Sequence, residues 1–273
     1  VYQAEIFINF ASQKNPKTKA VKFSIIIPSY NQPQFIERTF KNVADLKVVA
    51  LRNGHELEVL LFDSCSDQET QEIIKKYESL FDVMDIRKDK GQHDAINKGI
   101  KRMTGTYWTW LNTDDYIDKE GFIKLAEVVS KNPQIDYIYG SIDIIDEQDQ
   151  LIRKAASYEL TQEQLLNKDP SIFQPGSFTK TAITRKIGSL SNDYQTSFDY
   201  EYVLRLFANK ALVYKCDFTV AQFRYYNTSK SGSMVPVFIR EQLKISKKYG
   251  RRPFSFMSLF LNLRLLKHKL FPR

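Results

Sequence analysis

Short apolar runs that alternate with helix-type periodicity restrict the fold of this sequence more than any other feature. Residues 23–27 form a β-branched run that ends at Pro28, which predicts a buried strand. Further strands are predicted at 57–62, 82–86 and 108–111, with helices at 33–51, 67–80 and 95–103. Strands that alternate with helices form βαβ units with right-handed crossovers. The first half therefore predicts an α/β domain with helices on both faces of a mostly parallel sheet.

The regular alternation of predicted strands and helices ends after Asp115. The pattern there predicts a helix at 121–130, strands at 137–140, 141–145 and 151–158, helices near 162–166 and 200–208, and strands at 212–215 and 220–225. Short strands with turn residues between them are typical of antiparallel pairing. We therefore expect an antiparallel addition to the parallel sheet.

Three of the predicted parallel strands end in polar, turn-forming residues. These endings are Pro28-Ser29-Tyr30-Asn31, Asp63-Ser64-Cys65-Ser66-Asp67 and Asn112-Thr113-Asp114-Asp115. Because the carboxyl ends of parallel strands meet at one edge of a sheet, the three groups are expected to line one ligand crevice. Tyr30 is suited to pack against a nucleotide base, and Asp63 to accept a base N–H. The structural alternative for Asp63 is a turn. Asp67 is better explained as a helix N-cap.

Adjacent carboxylates at Asp114 and Asp115 suit a hard divalent cation, Mg²⁺ or Mn²⁺, that is also bound to substrate phosphates. The alternative is structural, because Asp115 could cap the helix that follows. A second polar loop, residues 89–99, runs into a helix whose N-terminus can face an anion. Lys90 could reach a phosphate there, and Asp94 a base or ribose. The same loop could equally be an ordinary solvated helix start.

Charge and cysteine content restrict the class of protein. The 273 residues carry a net charge of +8, but residues 240–273 hold ten Lys or Arg and one acid, a net charge of +9, so the rest carry about −1. One terminal basic patch indicates an anionic surface as partner and argues against a nucleic-acid binder. Two cysteines fit a reducing cytosol, and the three scattered histidines argue against structural zinc.

These motifs together resemble glycosyltransferase family 2, the inverting enzymes of GT-A fold that use nucleotide-sugar donors. The resemblance covers most of the chain. IIIPSYN at 25–31 is similar to the family's opening strand and turn, DSCSD at 63–67 to its Asp-Gly-Ser-x-Asp loop, and DKGQHDAINKG at 89–99 to a stretch of a bacterial subgroup. NTDD at 112–115 resembles that subgroup's version of the Asp-x-Asp metal motif, with Asn112 in place of an acid.

The resemblance implies roles for named residues. The donor nucleotide would be bound by Pro28, Ser29, Tyr30, Asn31, Asp63, Lys90, Gly91, Asp94, Asn97, Asn112 and Asp114, and the cation by Asp114 and Asp115. The acceptor side would include Gln174, Glu201, Arg224 and Lys230. The implied organisation is an N-terminal surface segment (1–22), a nucleotide-sugar half (23–116), an acceptor half (117–233) and basic amphipathic C-terminal helices (234–273).

Asp199 is the candidate general base. SFDYEYVLR at 197–205 resembles the family's acidic segment before a helix, and Asp199 matches its base, which deprotonates the acceptor hydroxyl. The structural alternative is an N-cap, with Glu201 as a first-turn acid favoured by the helix dipole. Trp108 and Trp110 alternate on a strand, so core packing is the first interpretation and sugar stacking the second.

The basic C-terminus combines apolar residues with cations. Only eleven uncharged residues separate Arg252 from Arg264, against about 20 needed for a transmembrane helix. The segment could lie in the interface of an anionic membrane, or it could pack on the catalytic domain or on a second subunit. A cytoplasmic location, peripheral at the inner face of the plasma membrane, and a homo-oligomer are therefore expectations.

The activity expected from the resemblance is transfer of a sugar from a nucleoside-diphosphate sugar to a hydroxyl of a glycan or lipid-linked glycan, in surface-polysaccharide or glycolipid synthesis. Two alternatives stay open. A sugar nucleotidyltransferase also places carboxylates and magnesium beside a nucleotide, but its Gly-rich triphosphate loop is not seen after the first strand. A non-catalytic scaffold subunit would keep the fold and bind through the basic C-terminus.

Overall fold

A computed structural model of the chain describes residues 19–172, 174–226 and 234–270. Most of the expected N-terminal surface segment and the stretch that contains Lys230 lie outside the described residues. The expected boundary at residue 22 falls at the start of the first strand, and Val21 is already buried.

The first half follows the predicted order of strands and helices. Its elements are β1 (Lys22–Ser29), α1 (Pro33–Arg52), β2 (Glu56–Asp63), α2 (Gln68–Lys76), β3 (Val83–Ile86), α3 (Gln92–Arg102) and β4 (Tyr107–Trp110). A 3₁₀ turn, Glu78–Leu80, replaces the end of the helix predicted at 67–80. Asp67 caps α2 by accepting a hydrogen bond from the Thr70 backbone N–H, as predicted.

The second half differs from the prediction in its strands. Its elements are β5 (Tyr116–Ile117), α4 (Lys119–Lys131), β6 (Tyr137–Ile145), β7 (Leu151–Ala155), α5 (Gln162–Asn167), β8 (Ser177–Lys180), α6 (Thr181–Ile187), α7 (Phe198–Ala208), β9 (Val213–Arg224), α8 (Val235–Lys248) and α9 (Phe256–Leu270). The two strands predicted at 137–140 and 141–145 are one strand, and so are those at 212–215 and 220–225. β5, β8 and α6 were not predicted.

An irregularity in the strand pairing explains why the strands merge. β6 and β9 pair in parallel, with Tyr139 opposite Lys215 and Ser141 opposite Thr219. Three residues of β9, 216–218, therefore face Gly140 alone, which is a bulge in which both strands continue. A glycine inside a strand pattern can indicate a turn or a bulge, and the sequence does not distinguish the two.

The strands form one mixed sheet in the order β3-β2-β1-β4-β8-β6-β9-β5. The remaining strand, β7, lies outside this order and pairs with β6. β1 pairs in parallel with β2 and β4, whereas β8 pairs antiparallel with β4 and β6. The chain leaves β1 toward β2 on one side and returns to β4 on the other. The carboxyl ends of β1 and β4 thus form the topological switch point where open α/β sheets bind ligands.

Each face of the sheet carries its own hydrophobic core. Ile25 and Ile27 belong to the core beneath α1 and α4, whereas Ile26 belongs to the core of α3, α7 and the C-terminal helices. A glycine allows α4 to approach β9 closely, because a Cβ at Gly121 would lie 2.0 Å from the Thr219 carbonyl oxygen. Trp108 and Trp110 are both buried, as the core-packing interpretation predicted.

The last helix, α9, buries one face against the domain through Met257 and Leu261. The prediction that it packs on the catalytic domain holds for this face, while the opposite face is exposed. No helix within the described ranges is both long and apolar enough to cross a bilayer.

Candidate functional site

A crevice of about 820 Å³ opens at the carboxyl ends of β1 and β4. It gathers residues from the three strand endings and from the second half of the chain. The sequence-predicted residues that line it are Pro28, Ser29, Tyr30, Gly91, Asn112, Asp114, Gln174, Asp199 and Arg224. The nucleotide half and the acceptor half of the predicted domain therefore share one cavity.

Asp114 faces this crevice and is held in place from behind. Its Oδ2 accepts a hydrogen bond from the Tyr226 hydroxyl at 2.9 Å, and Tyr226 in turn accepts one from Gln32 at 3.2 Å. The Asp114 carbonyl oxygen accepts a hydrogen bond from Arg224 Nε at 3.0 Å. Side chain and backbone are thus fixed separately, which preorganises the carboxylate for a ligand.

Asp115 lies beneath the crevice and does not line it. Its Oδ1 accepts a hydrogen bond from the Arg224 backbone N–H at 2.9 Å, and its Oδ2 accepts one from Asn112 Nδ2 at 3.0 Å. The residue is 1% exposed. The helix cap proposed as its alternative role belongs to Asp118, which accepts from the Gly121 N–H. Asp115 therefore fastens the 112–115 loop to β9, and the geometry argues against direct metal ligation.

Arg224 supports the same loop through a guanidinium that is fully buried. Beyond Asp114, it donates hydrogen bonds to the Tyr116 hydroxyl at 2.8 Å and to Asp149 at 2.5 Å, and it packs over the Phe35 ring. The resemblance implies an acceptor-side role for Arg224. Because its donors are already used within the protein, it acts instead as a positioning residue for Asp114.

The electrostatics of the loop favour a cation. Burial raises the pKa of Asp114, with the Tyr226 hydrogen bond and the Arg224 charge opposing the rise. Burial and the neighbouring Asp114 charge raise the pKa of Asp115 well above its usual value. Burial and mutual repulsion thus make the charged forms of both carboxylates unfavourable. A divalent ion beside Asp114 would offset this cost and stabilise the charged forms.

The residues present fit such an ion only in part. The described residues contain no cluster of three or more His, Cys, Asp or Glu side chains arranged around a metal. Mg²⁺ and Mn²⁺ do not require one, because such ions in phosphate sites use one or two carboxylates together with substrate phosphates and water. Asp114 supplies that carboxylate, and the Asn112 amide lines the crevice beside it.

The loop after β1 forms a second wall of the crevice. Tyr30 is 62% exposed and lines the cavity, in the position of a stacking surface. Asn31 adopts a positive φ of 47° and accepts a hydrogen bond from the Asp67 N–H, so its side chain joins two turns. Asn31 does not line the cavity.

Asp63 also serves the turn. Its two carboxylate oxygens accept hydrogen bonds from the backbone N–H and the hydroxyl of Ser66, and the side chain is fully buried. The structure therefore does not present it to a base, and its neighbour Ser64 lines the crevice instead.

The loop before α3 reaches the crevice through its glycine. Gly91 is the N-cap residue just before α3, has a φ of 116°, a conformation that favours glycine, and lines the cavity with Gln92. Asp94 accepts a hydrogen bond from the Lys90 N–H and pairs with Lys98, and neither Lys90 nor Asp94 lines the cavity. Asn97 points elsewhere, because its amide bonds the Leu190 backbone.

Asp199 enters the crevice from the first turn of α7. It is not an N-cap: the cap position is Ser197, and Asp199 Oδ1 accepts from the Tyr200 N–H within the turn. The segment that leads into α7 is held by Glu241 of α8, whose carboxylate accepts hydrogen bonds from the backbone N–H groups of residues 195, 196 and 197 at 2.7–2.9 Å.

Glu241 is a residue that sequence reasoning missed. Burial alone would raise its pKa, but the hydrogen bonds from residues 195–197 outweigh burial and lower the pKa below its usual value. The bonds fix the segment that carries Asp199. A lone glutamate on a distant helix gives no local signal for such a role.

Other missed residues lie on the crevice wall. Lys88 and Arg153 add positive charge, and Phe238 and Phe223 add apolar surface. Arg153 is on edge strand β7, and the sequence does not predict that this strand lies at the same crevice as the donor loops. Gln174 is on the wall as predicted, and its Nε2 donates to the Trp110 carbonyl at 2.8 Å.

Glu201 is not at the crevice. Its Oε1 accepts from the Tyr249 hydroxyl at 2.6 Å and its Oε2 accepts from Arg205 at 2.9 Å, with the Glu201 side chain 3% exposed. The acceptor-side role implied by the resemblance therefore has no geometric support. Glu201 follows Asp199 by two residues, about 200° around the helix, so the two side chains point to opposite sides of α7.

We expect Glu201→Gln to lower the free energy of unfolding by about 2 kcal/mol, because the amide weakens a buried charge-assisted contact with Arg205. Chemical denaturation measures the change. Glu163→Gln is the matched control: this residue pairs with Arg252 at 3.3 Å on the surface, and its loss should cost less than about 0.5 kcal/mol. Equal, small losses in both variants would contradict the structural role of Glu201.

Comparison with known proteins identifies the family of the chain. Residues 24–188 match the family model described as Glycosyl transferase family 2. A PGL/p-HBAD biosynthesis glycosyltransferase of Mycobacterium bovis is 26% identical over 238 residues, 85% of this chain and 88% of the relative. The putative teichuronic acid biosynthesis glycosyltransferase TuaG of Bacillus subtilis is 31% identical over 107 residues, 38% of this chain and 40% of TuaG.

Solved structures share the fold at low identity. S. aureus TarS 1-349 in complex with UDP-GlcNAc matches with a TM-score of 0.61 and 17% identity, covering 92% of this chain and 73% of TarS 1-349. The mannosyltransferase PcManGT from Pyrobaculum calidifontis, in complex with GDP-Man and Mn²⁺, matches with a TM-score of 0.59 and 13% identity, covering 92% and 71%. The predicted GT-A fold is thereby confirmed, and the chain belongs to glycosyl transferase family 2.

Proposed function

We propose that this protein is an inverting, cation-assisted glycosyltransferase that moves a sugar from a nucleoside-diphosphate sugar to an acceptor hydroxyl. One observation carries the proposal: Tyr30, Asp114 and Asp199 line the same crevice, although they come from the loop after β1, from the loop after β4 and from α7. Family membership supports the reaction class, and the shared crevice supports the roles that we propose for its residues.

The donor occupies the side of the crevice near β1 and β4. Tyr30 packs against the base, and the carboxylate of Asp114 holds Mg²⁺ or Mn²⁺. When bound, the cation neutralises the negative charge that develops on the departing diphosphate. Lys88 and Arg153 also line the crevice, and their positive charges stabilise the phosphates further.

The acceptor enters on the side of Asp199 and Gln174. Inverting transfer needs a base on the sugar face opposite the leaving group, and Asp199 accepts the proton of the attacking hydroxyl. Gln174 is held by the Trp110 carbonyl, which leaves its side-chain oxygen for a sugar hydroxyl. The acceptor is a glycan or a lipid-linked glycan, as the names of the mycobacterial and Bacillus relatives suggest.

We infer that the protein acts in the cytoplasm. Cys65 and Cys216 are both free thiols, which fits a reducing compartment. A scaffold subunit of the same fold would also be consistent with that location, so nucleotide binding is what separates the two.

Calorimetric titration with UDP, GDP and dTDP, each with Mn²⁺ and with EDTA, tests the donor site. We expect one nucleotide to bind with an affinity that falls at least about tenfold when the cation is removed, because Asp114 alone repels a diphosphate. UDP and GDP come first because the structures similar in fold hold UDP-GlcNAc and GDP-Man. Failure of all three nucleotides to bind would favour the scaffold alternative.

A further inference from the structure

Helix α9 is apolar on two opposite sides. Met257 and Leu261 are buried against the domain. On the opposite side, six large apolar residues are between 50% and 70% exposed: Phe256, Leu259, Phe260, Leu263, Leu266 and Leu270. A helical repeat of 3.6 residues puts these six on one face. The solvent side of a surface helix is normally polar, so a row of large apolar residues on that side indicates that this second face is covered as well.

The charges on the same helix indicate which kind of partner covers the apolar face. Arg264 and Lys267 lie on exposed positions of the same helix, and the sequence contains no Asp or Glu after Glu241. A second copy of the chain would bring these cations together in a dry interface without an acid from either C-terminal segment. Anionic phospholipid headgroups offer counter-charges while the acyl region accepts the apolar residues.

α9 also packs against the elements that form the Asp199 side of the crevice. Tyr200, the residue after Asp199, has its hydroxyl 4.0 Å from the Met257 sulfur. The Arg252 N–H donates to Asn167 Oδ1 at the end of α5, and the chain after α5 lines the crevice at Ile172. The face opposite these contacts is therefore directed outward from the acceptor side of the domain.

We propose that α9 docks on an anionic phospholipid membrane with its exposed apolar face, and that this holds the acceptor side of the crevice beside the bilayer, where a lipid-linked acceptor lies. With 15 residues, α9 is too short to span and lies in the interface. The acceptor part of this inference rests on the proposed function, whereas the docking part does not.

Cosedimentation of the purified chain with vesicles tests the docking. Vesicles of phosphatidylcholine are compared with vesicles of phosphatidylcholine and phosphatidylglycerol in equal amounts. We expect binding to the mixed vesicles to be at least about tenfold tighter and to weaken at high salt, because charge and apolar burial both contribute. Leu263→Glu should weaken binding by about tenfold or more, since it puts an anion in the centre of the face.

Leu51→Glu is the matched control, because Leu51 is an exposed leucine at the end of α1, on the other face of the sheet. It should bind vesicles like the unmodified chain. Failure of the unmodified chain to bind mixed vesicles, or an equal loss in both variants, would overturn the docking. A dimer in light scattering that Leu263→Glu dissociates would assign the face to a second copy and overturn it too.

Nucleotide titration separates this inference from the proposed function. Leu263→Glu should keep the metal-dependent nucleotide affinity of the unmodified chain, because α9 does not line the crevice. Vesicle binding without nucleotide binding would contradict the proposed sugar transfer and support the docking of α9 on the membrane. Nucleotide binding without vesicle binding would contradict the docking of α9 and would not affect the proposed sugar transfer.

Discussion

Asp199→Asn is expected to lower the turnover of sugar transfer by about a hundredfold or more while donor affinity stays within about twofold. The amide cannot accept the proton of the acceptor hydroxyl. It keeps the shape of the side chain, and its Oδ1 can still accept from the Tyr200 N–H, so the start of α7 is preserved. Single-turnover transfer assays and nucleotide titration of the same preparation measure the two quantities.

Glu201→Gln is the matched control for this substitution, because it also converts an acid of the first turn of α7 to its amide. Its carboxylate faces Tyr249 and Arg205 rather than the crevice, so turnover should stay near that of the unmodified chain. If Asp199→Asn turned over at the unmodified rate, Asp199 would not be the base. A similar loss in both variants would instead indicate damage to α7.

The sequence predicted the first half of the fold well because each strand there is a short apolar run closed by turn residues. β1 and β2 differ from their predicted limits by one or two residues. In the second half, local signals are ambiguous. Gly140 lies in a bulge and not in a turn, and β8 is only four residues long, so neither β6 as one strand nor β8 could be recognised from periodicity.

The sequence predicted which loops meet at the candidate site. It did not predict which side chains of those loops face the ligand. Strand endings converge by topology, so Tyr30 and Asp114 could be assigned to one crevice. Whether a polar residue faces the ligand or the protein depends on partners distant in the chain. Asp115 is held by Arg224, 109 residues away, and the Asp199 segment by Glu241, more than 40 residues away. Such long-range hydrogen bonds leave no periodic signal.

The burial of Asp115 makes Asp114 the test of the cation site, because it is the carboxylate of the pair that faces the crevice. We expect Asp114→Asn to abolish most of the metal dependence of nucleotide binding and to lower transfer by about a hundredfold. An amide is a weaker ligand for Mg²⁺ or Mn²⁺ than a carboxylate. Its oxygen can still accept from the Tyr226 hydroxyl, so the loop should keep its position.

Asp118→Asn is the control for this variant, since it makes the same change in the same segment. Asp118 caps α4, and asparagine caps helices about as well as aspartate, so stability, nucleotide affinity and transfer should all change little. Titrations with Mn²⁺ and with EDTA then isolate the effect of the Asp114 charge. Full metal dependence in Asp114→Asn would mean that the cation is held elsewhere, and the role of Asp114 would reduce to shaping the crevice wall.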